Sequence, residues 1–412
     1  MNTVSNMLRD AEALTGRRDT YLAVLEKIVT HVKQNSDSST CAGARALEHV
    51  ADAFASKQAW THAHDTYSQA LQIIKNADIS AAVSNEFTSS AQSRSFNVLQ
   101  KIAKVCMNLR DYDGAWKAHQ KCLDIVKPAS LPISDPSIVT VMNNMGHVQF
   151  AKGAIGNAIA IFKRCLTVQR SLVNRDLLAE ADTMAKIGCI YRQVGRLDAA
   201  IAWYDAAVVV RTDVLGEEHI DLSSDLLALG NIYYRQRQLD NALAAFSECI
   251  SLHRSHPNRD PSLVVSILDK MGAICSKLHD RSNATDCYEE AVCIARSAGV
   301  GRTVGREPLS STAATSTRSL YNLALIHDAE GRICEAIDCA EEAFGILESS
   351  IAVQNATKNE APVVLAFLIR LLHKKGDTEK VCKYSERISA LEQACNEGRP
   401  EKRSKFLGAP AA

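Results

Sequence analysis

The chain has 412 residues, room for two or three globular domains, and is 46% hydrophobic and 23% charged, the balance of a folded protein. Its 47 Lys and Arg are matched by 47 Asp and Glu, which excludes a large overall basic field for nucleic acid or an anionic membrane surface. Only 5% of residues are aromatic, so the apolar mass comes from Ala, Leu, Ile and Val, as in helices packed closely through small residues.

The first segment, residues 1–40, is expected to be helical but shows no sustained apolar heptads. It lacks the apolar core of a secretory signal, and Asp10, Glu12 and Asp19 fit an organelle transit peptide poorly. Nowhere is there a run of about 18 apolar residues, so no membrane span or membrane partner is expected. The 13 cysteines include no CxxC pair and fall mostly on apolar helix faces, which points to a reducing cytosolic or nuclear compartment, with a cytoplasmic location expected.

Residues 41–395 read as a repeat array. Ala51, Phe54, Ala63, Tyr67 and Ala70 form a first, loose copy, and Ala103, Cys106, Ala115, His119 and Cys122 a second. Four copies then follow 42 residues apart in one register. They are Gly146, Gln149, Gly153, Ala158, Phe162 and Cys165; Gly188, Tyr191, Gly195, Ala200, Tyr204 and Ala207; Gly230, Tyr233, Ala242, Phe246 and Cys249; and Gly272, Cys275, Ala284, Tyr288 and Ala291. A late copy keeps Ala324, His327, Gly331, Ala336, Ala340 and Ala343, and a degenerate one near Val363–Leu391 keeps Gly376 and Val381. Two connections are expanded, at 77–93 and 299–318, and residues 396–412 form a basic tail expected to be disordered. The second insertion is rich in Ser, Thr and Gly and reads as a flexible loop. Its Ser310, Ser311, Thr312, Thr315, Ser316 and Thr317 are candidate phosphorylation sites beside Arg302 and Arg306. All nine prolines fall in proposed connections or the tail, where they cost no helix about 3 kcal/mol.

The slots have a physical logic. The small residue permits close helix approach, and the residue three later lies nearly one turn on, facing the partner helix. Glycine at the inter-helix turn tolerates positive φ. Each unit is thus two antiparallel helices whose apolar face is covered only by stacking neighbours.

This pattern resembles the tetratricopeptide repeat over about Arg45 to Leu391, with 42 residues in place of the usual 34. The longer unit is similar to the kinesin light chain repeat, on segments such as VLGEEHIDLSSDLLALGNIYY, MNNMGHVQF and LYNLALIHDAEG. The resemblance implies an all-α, right-handed superhelical solenoid of seven to eight hairpins, with a concave groove lined by each repeat's first helix. Cys106, Gln149, Cys275 and His327 stand where an aromatic is usual, and residues 1–40 lack the apolar heptads of the coiled coil by which a kinesin light chain would join its heavy chain, so a relative of the repeat domain and not a motor subunit is expected.

The groove implied by the resemblance would present Asn143, Asn144 and His147, then Lys186, Cys189, Arg192 and Gln193. Asn231, Tyr234 and Arg235 follow, then Lys270, Ala273 and Lys277, and last Arg318, Tyr321 and Asn322. Asn amides suit the backbone of an extended peptide, and Lys and Arg suit its acidic side chains. The expected role is a protein–protein adaptor binding an extended, acid-containing segment. The other reading is a structural subunit of an assembly that uses its convex face or helix edges. A chaperone-type carboxylate clamp is not expected, because Glu48/Asp52, Gln100/Lys104 and Asn143/His147 all lack the Lys-then-Asn pair four apart. Cys122, Cys165 and Cys249 sit in small-residue slots and read as packing, with Cys189 the most exposed cysteine. His62 and His64 are two apart on a helix and point to different sides, and Cys334 and Cys339 are poorly spaced as ligands. With no GxxxxGK[ST], GxGxxG after a strand, HExxH or GxSxG, neither catalysis, a metal nor a cofactor is expected.

Overall fold

The computed structural model describes residues 18–34, 41–81, 88–126, 136–256, 260–297, 311–351 and 361–397. Helix α1 (Arg18–Gln34) is followed by α2 (Cys41–Ser56) with α3 (Trp60–Ala81), α4 (Thr88–Asn108) with α5 (Tyr112–Val126), α6 (Pro136–Ala151) with α7 (Ile155–Ser171), and α8 (Leu177–Val194) with α9 (Leu197–Leu215). After a 3-10 turn at Ile220–Leu222 come α10 (Ser223–Arg235) with α11 (Leu239–Ser255), and α12 (Pro261–Lys277) with α13 (Arg281–Ser297). The series continues with α14 (Ser311–Ala329) and α15 (Ile333–Ile351), then α16 (Ala361–Lys375) and α17 (Thr378–Glu397). The described residues are thus all-α, with eight hairpins after α1. They divide between two compact units, Met1–Val214 and Leu215–Ala412.

Within a hairpin the small slot receives the ring of the return helix. A Cβ on Gly146 would lie 2.6 Å from Phe162 Cζ, one on Gly230 2.6 Å from Phe246 Cε1, and one on Gly272 2.7 Å from Tyr288 Cε1. The 42-residue spacing of these glycines therefore records a ring seated against backbone. The turn slot also has one geometry throughout. Residues 58, 110, 153, 195, 237, 279, 331 and 376 all have positive φ, whether they are glycine, as at Gly195 (84°), or not, as at His279 (62°).

Helix starts follow local chemistry. The Asp176 carboxylate accepts from Ala179 N at 3.0 Å and Asp260 from Ser262 N at 2.9 Å, occupying donors that the first turn leaves free. Pro136 and Pro261 open α6 and α12, and Pro362 is the second residue of α16. These three therefore lie in helices and not in connections, in a first turn where a missing N–H costs nothing. Stacking joins α1 to α6 into one core running from Tyr21 to Val148, and in the second unit Leu320, Phe344, Leu365 and Leu372 belong to a comparable cluster.

The expanded connections are shorter than expected. Helix α3 continues to Ala81 and α4 starts at Thr88, so much of 77–93 lengthens helices. Residues 311–318, read as flexible loop, are the first two turns of α14, and Ser316 and Thr317 are buried. Burial overrides the weak helix propensity of Ser and Thr here and closes these two hydroxyls to a kinase. Ser310, Arg302 and Arg306 lie outside the described residues, as does tail segment 398–412.

Candidate functional site

In the second unit, alternate helices of the array touch along one face. Lys270 Nζ of α12 donates to Asn231 Oδ1 of α10 at 2.7 Å, and Asn231 Nδ2 donates to Leu227 O at 2.7 Å. Lys277 Nζ donates to the Tyr234 hydroxyl at 2.6 Å and lies 4.4 Å from its ring centroid. From α14, Arg318 Nε reaches Asp269 Oδ2 of α12 at 2.8 Å, while Ser319 Oγ donates to Asp269 Oδ1 at 3.0 Å. Asn322 Nδ2 donates to the Tyr288 hydroxyl at 3.2 Å, and Tyr321 meets Phe367 of α16 edge to face. Asp328 pairs with Lys374 at 2.5 Å and Arg370 at 3.4 Å. Arg235 is exposed, and Ala273 is half-buried.

This ladder is electrostatically lopsided. The carboxylates lie deep, with Asp269 6% and Asp328 11% exposed, whereas Arg318 is 61% and Arg370 59% exposed. Burial pushes the Asp269 carboxyl up, opposed by Arg318, Ser319 and Lys270. Burial, and then the charge of Arg318, lowers the Lys270 ammonium. The two cations thus feel each other although Asp269 lies between them in charge.

In the first unit, both Asp52 oxygens accept from Lys101 Nζ, at 2.8 and 2.7 Å, and Asp52 also accepts from the Tyr67 hydroxyl. Asn144 Nδ2 donates to Gln100 Oε1 at 3.1 Å. Next to these lies an open cleft of about 350 Å³, lined by Gln100, Lys101, Lys104, Met107, His119, Asn144 and His147. His119 is buried, its Nδ1 has no hydrogen-bond partner, and burial drops its pKa to about 4, so the ring is neutral near pH 7. His147 is exposed, edges Phe162 at 5.3 Å, and is lowered by desolvation and then by Lys186. The Asn143 Oδ1 is buried without a partner. Arg192 Nη2 and Gln193 Nε2 both contact Cys189 Sγ at 3.6 Å.

The sequence-predicted residues therefore belong to two faces. Asn143, Asn144, His147, Lys186 and Arg192 lie in the first unit, and Asn231, Tyr234, Arg235, Lys270, Lys277, Tyr321 and Asn322 in the second. Most of the Asn amides already hold a neighbouring helix. Sequence reasoning did not find the acids beneath the cations, Asp52, Asp269 and Asp328. Their partners lie 49, 49 and 46 residues away, close to one repeat, and that spacing was the available signal.

Cys122, Cys165 and Cys249 are buried as expected, each with Sγ directed at a carbonyl 26 residues earlier. Cys189 is not the most exposed thiol: it is half-buried under Arg192 and Gln193, whereas Cys293, Cys334 and Cys382 are exposed. His62 stacks on Phe54 at 5.4 Å and pairs with Glu26, apart from His64 beside Asp65. No group of three metal-ligating side chains and no helix long and apolar enough to cross a membrane occurs among the described residues.

Residues 137–208 and 180–255 match the tetratricopeptide repeat family. No curated protein matches by sequence. Among solved structures, the apo form of RapI is 12% identical, with a TM-score of 0.50 over 83% of this chain and 97% of RapI. BtubC from P. vanneervenii is 16% identical, with a TM-score of 0.48 over 60% of this chain and 95% of its own. The TPR-like repeats of a candidate kinesin light chain from Podosopora anserina are also 16% identical, with a TM-score of 0.39 over 52% of this chain and 96% of theirs. The RapI likeness shows the fold.

Proposed function

We propose that the chain is an interaction scaffold, in keeping with the tetratricopeptide repeats matched at residues 137–208 and 180–255, and that its first-helix faces hold an extended, acid-containing segment of a partner protein. The reading rests on the ladder of the second unit, where carboxylates are buried and cations exposed. Arg318 has five N–H donors and meets Asp269 through Nε. It keeps donors for a second carboxylate, as does Arg370. Arg235 and Lys277 extend the exposed cationic face. The Asn231 and Asn322 amides set the spacing of the helices, and in this reading they orient the cations rather than bind backbone first.

An affinity near micromolar, roughly −8 kcal/mol, suits such a contact. It should weaken as salt screens the exposed charges. The test is a panel of extended fluorescent peptides with graded Asp and Glu content, read by anisotropy. Peptides rich in acid should bind the intact chain, and Arg235→Glu with Lys277→Glu should weaken them at least ten-fold while the thermal midpoint holds. Equal retention of neutral peptides, or no effect of the reversal, would sink the reading.

A further inference from the structure

The outward slots of the return helices are sorted by charge. In each return helix the small residue and those four and seven later turn inward, as buried Ala115, His119 and Cys122 do in α5 and Ala158, Phe162 and Cys165 in α7. At 3.6 residues per turn, the positions two, five and six after the small residue lie on the opposite side. In the first unit these outer slots carry Lys117 and Lys121 on α5 and Lys163 and Arg164 on α7, all exposed, and no acid occupies them in either helix. In the second unit the sign inverts. Glu248 stands there on α11, Asp286, Glu289 and Glu290 on α13, and Asp338, Glu341 and Glu342 on α15, and none of these three helices has a base in the outer slots. Asp65 of α3 and Asp205 of α9 flank the cationic pair of helices.

We propose that these two faces dock on each other between copies of this chain, the cationic outer face of α5 and α7 in one copy seated on the acidic outer face of α11, α13 and α15 in a second. The proposal goes beyond the peptide reading and uses none of its residues. Some of the acids already tie successive repeats: Arg254 holds Glu290 at 2.6 Å, Arg296 holds Glu342, and Lys380 holds Glu341 at 2.8 Å. Glu248, Asp286, Glu289 and Asp338 remain, exposed and without an ion-pair partner among the described residues, and so do Lys117, Lys121, Lys163 and Arg164. The pairs of the first unit run instead through Lys152 with Asp113 and Arg170 with Glu180. Four unspent cations thus face four unspent acids, in a chain whose 47 bases and 47 acids leave no net charge to hold copies apart. Nucleic acid or an anionic surface would suit the first unit's face and be repelled by the second's, whereas a second copy satisfies both. Half-buried Trp116 and Trp203 add aromatic area beside the cations, with Lys163 Nζ 5.9 Å from the Trp203 ring centroid. Helices of 15 and 17 residues, about 1.5 Å long per residue and about 10 Å wide, offer about 500 Å². That is less than the roughly 800 Å² per partner of a stable interface, so the contact is weak and reversible.

The test is sedimentation velocity of the full chain over a concentration series at about 20 mM and about 500 mM salt, between which the Debye length falls from about 20 Å to about 4 Å. The average mass should rise with concentration at low salt and return to the monomer value at high salt. Reversing the cations together, Lys117→Glu, Lys121→Glu and Arg164→Glu, should weaken self-association at least ten-fold. Reversing the acids, Glu248→Lys, Asp286→Lys and Asp338→Lys, should do the same. Mixed in equal amounts, the two reversed chains should associate at least as strongly as the natural chain, because one now has two acidic faces and the other two cationic ones. Misfolding of either variant would not produce that recovery. Arg235→Glu with Lys277→Glu, on the first-helix face, should leave the association unchanged. The proposal is overturned if the natural chain stays monomeric at low salt, if its association survives high salt, or if the mixture of reversed chains remains monomeric. It is also overturned if the Arg235 and Lys277 reversal abolishes association, since the acidic face would then dock on the first helices of the other copy.

Discussion

Replacing Gly230 by alanine tests whether the repeat's small slot is a steric requirement or a compositional habit. Alanine is favoured over glycine in a helix interior by about 1 kcal/mol, so propensity alone predicts a gain. The structure predicts the opposite. The new Cβ would lie 2.6 Å from Phe246 Cε1 and 2.7 Å from Cδ1, about 1 Å inside the optimum for carbon–carbon contact near 3.5–4.0 Å. Phe246 is fully buried and cannot swing into solvent, so ring or helix must shift. Overpacking of this kind costs about 1–3 kcal/mol, leaving a net loss of about 1 kcal/mol after the propensity gain. Gly345 is the internal control: it lies in α15 of the same unit, and a Cβ there meets nothing within 4 Å. Gly345→Ala should gain about 0.5–1 kcal/mol. Urea unfolding at equal slope would resolve the difference as opposite shifts in midpoint. Adding Phe246→Leu to Gly230→Ala should recover part of the loss as a favourable coupling energy. If Gly230→Ala raised the midpoint as Gly345→Ala does, the ring-on-backbone account of the repeat would be wrong.

His279 holds a left-handed turn at φ 62°, so His279→Gly should stabilise the second unit by about 0.5–1 kcal/mol, whereas Gly331→Ala at φ 78° should lose about 1 kcal/mol, both read as urea midpoints. Burial pushes the Cys122 thiol to about 12 and Cys165 and Cys249 to about 11, so a thiol reagent at pH 8 should label Cys293, Cys334 and Cys382 rapidly and Cys122, Cys165 and Cys249 only on unfolding, as peptide mass mapping would show. Early labelling of Cys249 would contradict its placement. Glu180 is fully buried, and hydrogen bonding from Arg175, with a further contact from Arg170, holds its carboxyl below the usual range. Its contribution to stability is complete above the ordinary glutamate pKa of about 4.3 and is lost as pH falls through the lower folded-state value. Glu180→Gln should cost about 1 kcal/mol at pH 7, discounted for the half-exposed arginines, and should flatten the loss of stability in that acid window.

What the sequence made legible depended on whether a residue type and a geometry go together. A ring seated against backbone needs glycine or alanine, so Gly146, Gly188, Gly230 and Gly272 announced the helix pairs. A left-handed turn does not strictly need glycine, so Arg110, Arg237 and His279 hid positions that the period alone would have located. Residues 311–318 were misread because Ser and Thr favour caps and turns locally, while burial decides here: Ser319 donates to Asp269 and to Thr315 O, and holds the start of α14 against α12. The candidate face was half legible. Its cations stood out by type, but Asp269 and Asp328 looked like ordinary helix residues until their partners one repeat away were placed beside them.

Regular slots explain how such a chain folds, and departures from them show where it could act. Tyr67 and Tyr288 fill the ring slot and cap it with a hydroxyl bound to Asp52 or Asn322, so interior and face are locked together there. Phe162 and Phe246 fill the slot without a polar tip, and Lys270, over the Phe246 ring, is held by Asn231. His119 alone among these positions is both too short to reach the face and polar enough to want a partner. A neutral packing substitution would have been another Phe or Leu. An imidazole whose burial is not matched by a hydrogen bond costs about 1–3 kcal/mol, and a slot that accepts Tyr67 in the adjacent hairpin does not require that cost for folding. His119→Phe should therefore hold or raise the thermal midpoint, and a clear fall would show that the imidazole carries an interaction the folded chain needs.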